Sequence, residues 1–177
     1  MNVTIKNIVR CILFMFVQVY VLDHIHLHRM VTPYLYFLFI LWLPFNMKRS
    51  TLMIVAFIYG YILDSFRHNP GFHTAACVLI AYVRPFLVNI FIPQEGADTN
   101  FEEPSIKSMG GIVPYAIFIG VMSILHHGWL FLLEAWQFGN IWYFILKTIL
   151  STILSMVLII ITELIFVRKQ RFRTNTV

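Results

Sequence analysis

Residues 141–167 read IWYFILKTILSTILSMVLIIITELIFV, and this run decides the class of the protein. Its two charges, Lys147 and Glu163, lie toward its two ends. A helix crossing about 30 Å of hydrocarbon needs roughly 20 mostly apolar residues at 1.5 Å each, so the run spans a bilayer with length left for tilt. The rest of the chain agrees. Of its 177 residues 59% are hydrophobic, 16% aromatic and only 12% charged, and the mean hydropathy is +0.78. Soluble domains are about 45–50% apolar and about 25% charged. A globule of this size could not hide the excess, because its surface would lack charge. The same figures argue against a disordered tail, a disulfide scaffold or a nucleic-acid domain. The net charge of +5 comes from basic residues at the ends of apolar runs, which suits anionic lipid better than a DNA groove. Cys11 and Cys77 lie inside apolar runs and read as small core residues.

Six candidate spans follow: about 7–22, 33–45, 51–64, 72–92, 112–133 and 141–167. The second and third fall short of full length, so they borrow polar-flanked residues or sit in thinned bilayer. A five-span alternative makes the second run re-entrant. The basic start (Lys6, Arg10) resembles a signal peptide, but no small-residue cleavage site follows, and the run reads as a retained first span. With both termini inside, the cytoplasmic side receives Lys6, Arg10, Lys48, Arg49, Lys107, Arg168, Lys169, Arg171 and Arg173, and the outside only Arg29 and Arg67. That is the positive-inside bias of an N-in, C-in protein, with Trp129, Trp136, Trp142 and Tyr143 at the outer interface. The polar stretch 93–111, with Glu95, Asp98, Glu102 and Glu103, reads as a cytoplasmic linker. The tail 168–177 reads as a topology anchor. No internal repeat is visible.

Charges at membrane depth cost a few kcal/mol each and need a reason. Asp64 follows Gly60 by four, so both share one helix face. Asp64 reads as a carboxylate capping or pairing near the turn, with Arg67 or His73 as partner, ahead of a proton or cation ligand. Arg84, about 18 Å from the outer end of its helix and followed by Pro85, reads as snorkelling or packing ahead of anion binding. His126 and His127 precede Glu134, but adjacent histidines point about 100° apart on a helix, unlike the i, i+4 metal pair. His24, His26 and His28 align only on an extended strand. Both clusters read as polar glue and interface residues rather than metal ligands. No nucleophile elbow, phosphate loop or zinc-protease motif is present. The chain reads as non-enzymatic and without a cofactor.

The run Ala56-Phe-Ile-Tyr-Gly60-Tyr-Ile-Leu-Asp64, the turn ending at Gly71, then Phe72-His73-Thr74-Ala75 and Ala81-Tyr82-Val83-Arg84 resembles the MreD family of rod shape-determining proteins. The resemblance covers the chain in length, span number and topology. It implies an all-α bundle of six transmembrane helices similar to the substrate-binding subunits of energy-coupling-factor vitamin transporters. It also implies a place in the bacterial inner membrane, in the cell-elongation machinery that directs peptidoglycan synthesis. The implied partners are an MreC-like scaffold, the MreB cytoskeleton, a RodA-like polymerase and a class B penicillin-binding protein. Carried over, Gly60, Asp64 and Gly71 fix the corner between the third and fourth helices, with Ala81 and Tyr82 packed below it. The long acidic linker, the His24/His26/His28 loop and Arg84 depart from the family pattern. The competing reading is a small-molecule-binding transporter subunit, and convergence of Gln18, Asp64, Arg84 and His126 on one pocket would favour it.

Overall fold

Apolar runs become helices wherever they are long enough to satisfy their own backbone across a bilayer. The computed structural model describes residues 3–25, 31–68, 71–92, 101–135 and 141–166, and they are all-helical, with no strand. Helix α1 (Val3–Phe16) continues through a π-helical turn (Val17–Val21) and a 3₁₀ turn (Leu22–His24). A four-residue helix α2 (Leu38–Leu41) follows, then α3 (Arg49–Arg67), α4 (Phe72–Phe91), α5 (Ile112–Ala135) and α6 (Ile141–Ile165). Four helical stretches are long and apolar enough to cross a membrane: Thr4–His24, Phe72–Phe91, Ile112–Glu134 and Ile141–Ile165. Helix α3 is of similar length but carries Arg49, Asp64 and Arg67. Helices α3, α4, α5 and α6 pack in chain order. The outward faces carry Ile8, Ile12 and Phe16 on α1, Ile54 and Ile58 on α3, and Ile149, Ile153 and Val157 on α6, all exposed. Apolar surface on that scale needs lipid against it. The protein is membrane-embedded.

The second expected span is not a span-length helix. Only Leu38–Leu41 is α-helical. Tighter i to i+3 bonds wind Leu35 to Leu43 on either side of it. The sequence supplies the reason: Pro33 and Pro44 bracket the run, and a helix of that length covers only about 20 Å. Tighter winding and extended chain rise further per residue, at about 2 Å and about 3.3 Å. The segment passes from one end of the bundle to the other. Its Tyr34 ring lies near Arg67, His73, His127 and Phe131. Its Trp42 lies near Phe14, Arg10 and Phe166. Every residue from Tyr34 to Leu43 is buried, and the aromatic core of the protein is this segment.

The polar stretch packs against the bundle over its described part. Residues 93–100 lie outside the described residues, but 101–111 form no free linker: Glu103, Ser105, Ser108 and Met109 are buried. The Phe45 amide donates to the Glu102 carbonyl (2.9 Å), holding this stretch against the end of the crossing segment. The stretch divides the chain and not the fold, since α4 packs on α5. The tail 168–177, Trp136, His26 and His28 lie outside the described residues.

Candidate functional site: polar groups that hold a broken pass

Irregular backbone inside a membrane protein survives only where protein groups satisfy its N–H and C=O. Here they come from side chains of the surrounding helices. On α6, Ser151 Oγ accepts from the Thr32 amide and Ser155 Oγ from the Tyr34 amide, each at 3.0 Å. Gln18, fully buried in the π-helical turn, makes the largest contribution. Its Oε1 accepts from the Leu35 and Tyr36 amides (2.9 and 3.4 Å). Its Nε2 donates to the Pro33 carbonyl (3.1 Å) and Asp23 Oδ1 (2.7 Å). Tyr59 of α3 donates to the Tyr36 carbonyl at 3.1 Å. At the far end Arg84 of α4 donates from Nε to the Leu41 carbonyl (3.1 Å) and from its guanidinium to the Leu43 carbonyl. Arg84 is buried and does not snorkel; two carbonyls freed by the broken helix take up its donors.

A second set of bonds fixes the α3–α4 corner. Gly71, at φ +86°, turns the chain into α4 and brings no side chain to cap its first amides. Asp64 caps them from α3. Its Oδ1 accepts from the His73 amide (3.0 Å) and His73 Nδ1 (2.8 Å), and its Oδ2 from the Thr74 amide (2.9 Å) and Thr74 Oγ1 (2.5 Å). A carboxylate at a helix N-terminus also meets the favourable end of the helix dipole. One turn below, Gly60 lets the helices touch: a Cβ there would lie 2.6 Å from Thr74 Cα.

The two sets join through Arg67. Its Nε pairs with Asp23 Oδ2 (3.0 Å) and its NH1 meets His73 Nε2 (2.5 Å). Arginine only donates, so His73 Nε2 accepts and its Nδ1 carries the proton given to Asp64. The same logic assigns His127. Its Nδ1 donates to the Ser123 carbonyl (2.7 Å), so Nε2 accepts from Ser155 Oγ (3.2 Å), whose lone pair receives the Tyr34 amide. His126 Nε2 meets Tyr36 Oη at 2.6 Å, and its ring stacks on Phe37 (4.5 Å between centroids). The adjacent histidines thus point to different partners. Among the described residues no group of three or more His, Cys, Asp or Glu is placed to hold a metal ion.

At the opposite end, Glu103 pairs with Arg10 and with Lys6 (2.5 Å). The Arg10 guanidinium covers the Trp42 ring (4.9 Å). Trp42 Nε1 donates to Tyr115 Oη (3.2 Å), which donates to Glu163 Oε2 (3.0 Å). Back at the Asp23 end, Lys147 pairs with Glu134 (2.6 Å) across α5 and α6.

Of the residues named from the sequence, Gly60, Asp64 and Gly71 meet at the corner, with Ala81 buried. Tyr82 is not packed below it: the side chain is 52% exposed, with the Arg49 guanidinium over its ring at 5.0 Å. Gln18, Asp64 and His126 gather toward the Asp23 end, and Arg84 stands apart at Leu41 and Leu43. Sequence reasoning missed Ser151, Ser155, Tyr59, Tyr115 and Glu103. Its overlooked signal was the spacing of Thr148, Ser151, Thr152 and Ser155, three to four apart on one buried face of α6.

Gln18 gives a direct test of this arrangement. Gln18→Leu leaves the Leu35 and Tyr36 amides and the Pro33 carbonyl without their partner, at about 1–3 kcal/mol for each group left unmet. Gln18→Glu keeps the acceptor and sets a second carboxylate against Asp23. Both variants are expected to unfold earlier than the parent in a denaturant titration, and parent-like midpoints would refute the role given to Gln18. No protein-family profile, curated protein or solved structure matches the chain.

Proposed function

We propose that the chain is a non-enzymatic membrane component of the bacterial rod complex, as its resemblance to MreD implies. In this reading it lies in the inner membrane with both termini in the cytoplasm. It helps position peptidoglycan synthesis through helix contacts with an MreC-like scaffold, a RodA-like polymerase and a class B penicillin-binding protein, and with MreB indirectly. The observation that supports it most is the corner: Gly60, Asp64 and Gly71, which carry the resemblance, join α3 to α4 by close approach, cap and turn, and both Asp64 oxygens are taken up by that cap. Buried polar groups that satisfy one another make a scaffold with a single shape, and such a scaffold acts by binding free energy.

The test is recovery of the tagged full chain from native membranes in mild detergent, with its companions identified by mass spectrometry. An MreC-like scaffold or a wall polymerase is expected. Asp64→Ala is expected to reduce that recovery, and an undiminished complex would sink the role given to the corner.

One observation favours the alternative, a small-molecule-binding subunit of a vitamin-type transporter. Ser123 Oγ, His126 Nδ1 and Thr152 Oγ1 are buried without a hydrogen-bond partner among the described residues. Against it, the Tyr34 and Tyr36 rings pack on both His73 and His126, and Phe37 stacks on His126. Recovery of an ATPase module or a stoichiometric small molecule, with no wall-synthesis partner, would overturn the first reading.

A further inference from the structure

The cations at the Glu103 end of the bundle fall into two groups. Lys6 and Arg10 share the Glu103 carboxylate, and Arg84 is taken up by backbone carbonyls. Lys48, Arg49 and Lys107 are exposed, and none of them meets a carboxylate among the described residues. Arg49 differs from the other two because it is positioned. Its guanidinium lies over the ring of Tyr82, an exposed tyrosine on a surface otherwise given to lipid. The cation–π contact holds the guanidinium over the ring without using its N–H donors, and their fork matches two oxygens of one phosphate. Lys48 adds a point charge at the neighbouring position. From Arg49, steps of four along α3 lead through Met53 to Phe57 and Tyr61, both exposed, with parallel rings 6.3 Å apart.

We propose that Lys48, Arg49 and Tyr82 form a binding site for the phosphate of an anionic phospholipid, whose acyl chain runs along Phe57 and Tyr61. The cations account for the phosphate and the rings for the chain. A free phosphate would use only the first, and a zwitterionic lipid would gain less from two cations. The site uses surface that the scaffold reading leaves unassigned, and its test needs no partner protein.

The full chain in detergent is titrated with dioleoyl phosphatidylglycerol, with dioleoyl phosphatidylcholine and, separately, with inorganic phosphate. Bound species are counted by native mass spectrometry. The phosphatidylglycerol is expected to bind tightest. Lys48→Gln with Arg49→Gln is expected to weaken it about tenfold and Tyr82→Leu about threefold, since ordering the guanidinium then falls to the lipid. Tyr82→Phe keeps the ring and is expected to keep the binding. Lys107→Gln removes a single charge at the same end and is expected to leave binding unchanged. All these side chains are exposed, so melting temperatures are expected to hold. A Lys107→Gln loss of about threefold, one charge's share of the double variant's tenfold, would show only diffuse attraction, and equal retention of phosphatidylcholine would remove the headgroup preference. Inorganic phosphate binding as tightly as the lipid would assign a free-anion site. Each of these three results overturns the proposal.

Discussion

Replacing Gly60 with alanine is expected to cost about 3 kcal/mol, the upper part of the range for overpacking, and replacement with valine to prevent a stable fold. The added Cβ meets Thr74 Cα at 2.6 Å, Thr74 N at 3.0 Å and the His73 carbonyl oxygen at 3.1 Å. All three are backbone atoms, so no flexible side chain can swing aside. Shifting α4 away would lengthen the Thr74 amide bond to Asp64, now 2.9 Å, and the substitution would loosen the cap as well as the contact. Gly120 supplies the control. A Cβ there meets only the end of the Met156 side chain, at 3.4 Å, and methionine adapts easily. Gly120→Ala is therefore expected to change stability little. The two variants are compared by thermal or denaturant unfolding in the same detergent. If Gly60→Ala unfolds alongside Gly120→Ala, the close approach of α3 and α4 is not what requires glycine.

The second large effect is expected at Arg84. Arg84→Leu removes a buried charge, and it strands the Leu41 and Leu43 carbonyls inside the bundle. Each unmet group costs about 1–3 kcal/mol, partly offset because the cation need no longer be desolvated. A net loss of about 3 kcal/mol is the expected result. Arg84→Lys keeps the charge and loses the fork that reaches two carbonyls from one side chain, so it is expected to fall between parent and leucine. A snorkelling arginine would behave differently: lysine would replace it without loss. Equal stability of Arg84→Lys and the parent, measured by denaturant titration, would restore the snorkelling reading.

Composition and length were enough to read the membrane class and the boundaries of α4, α5 and α6, because a helix that satisfies its own backbone announces itself by apolar length alone. The second pass was not legible for the same reason. Its hydropathy matches a span, and what makes it irregular is distance: thirteen residues between the chain's turns must cross a whole bundle. The partners that permit this are far away in sequence, with Ser155 121 residues from Tyr34 and Arg84 43 residues from Leu41. No local pattern carries such a pairing. Asp64 was legible as a cap because its partners His73 and Thr74 lie nine and ten residues on. Of the two readings of Arg84, snorkelling and packing, the structure shows packing; its partners were not legible because a single arginine on an apolar helix gives no sign of carbonyls left open elsewhere. Tyr82 was placed by analogy with a family pattern, and its exposed position follows from helix phase: Ala81 occupies the buried direction.

The dependence of Thr32 and Tyr34 on Ser151 and Ser155 also sets an order in time. Synthesis runs from the N-terminus, and the serines are made 119 and 121 residues after the amides they receive. A helix can enter the bilayer with its hydrogen bonds already closed, but this segment cannot. Until α6 arrives, two of its amides lack their acceptors, and the irregular segment is completed only when Ser151 and Ser155 reach it.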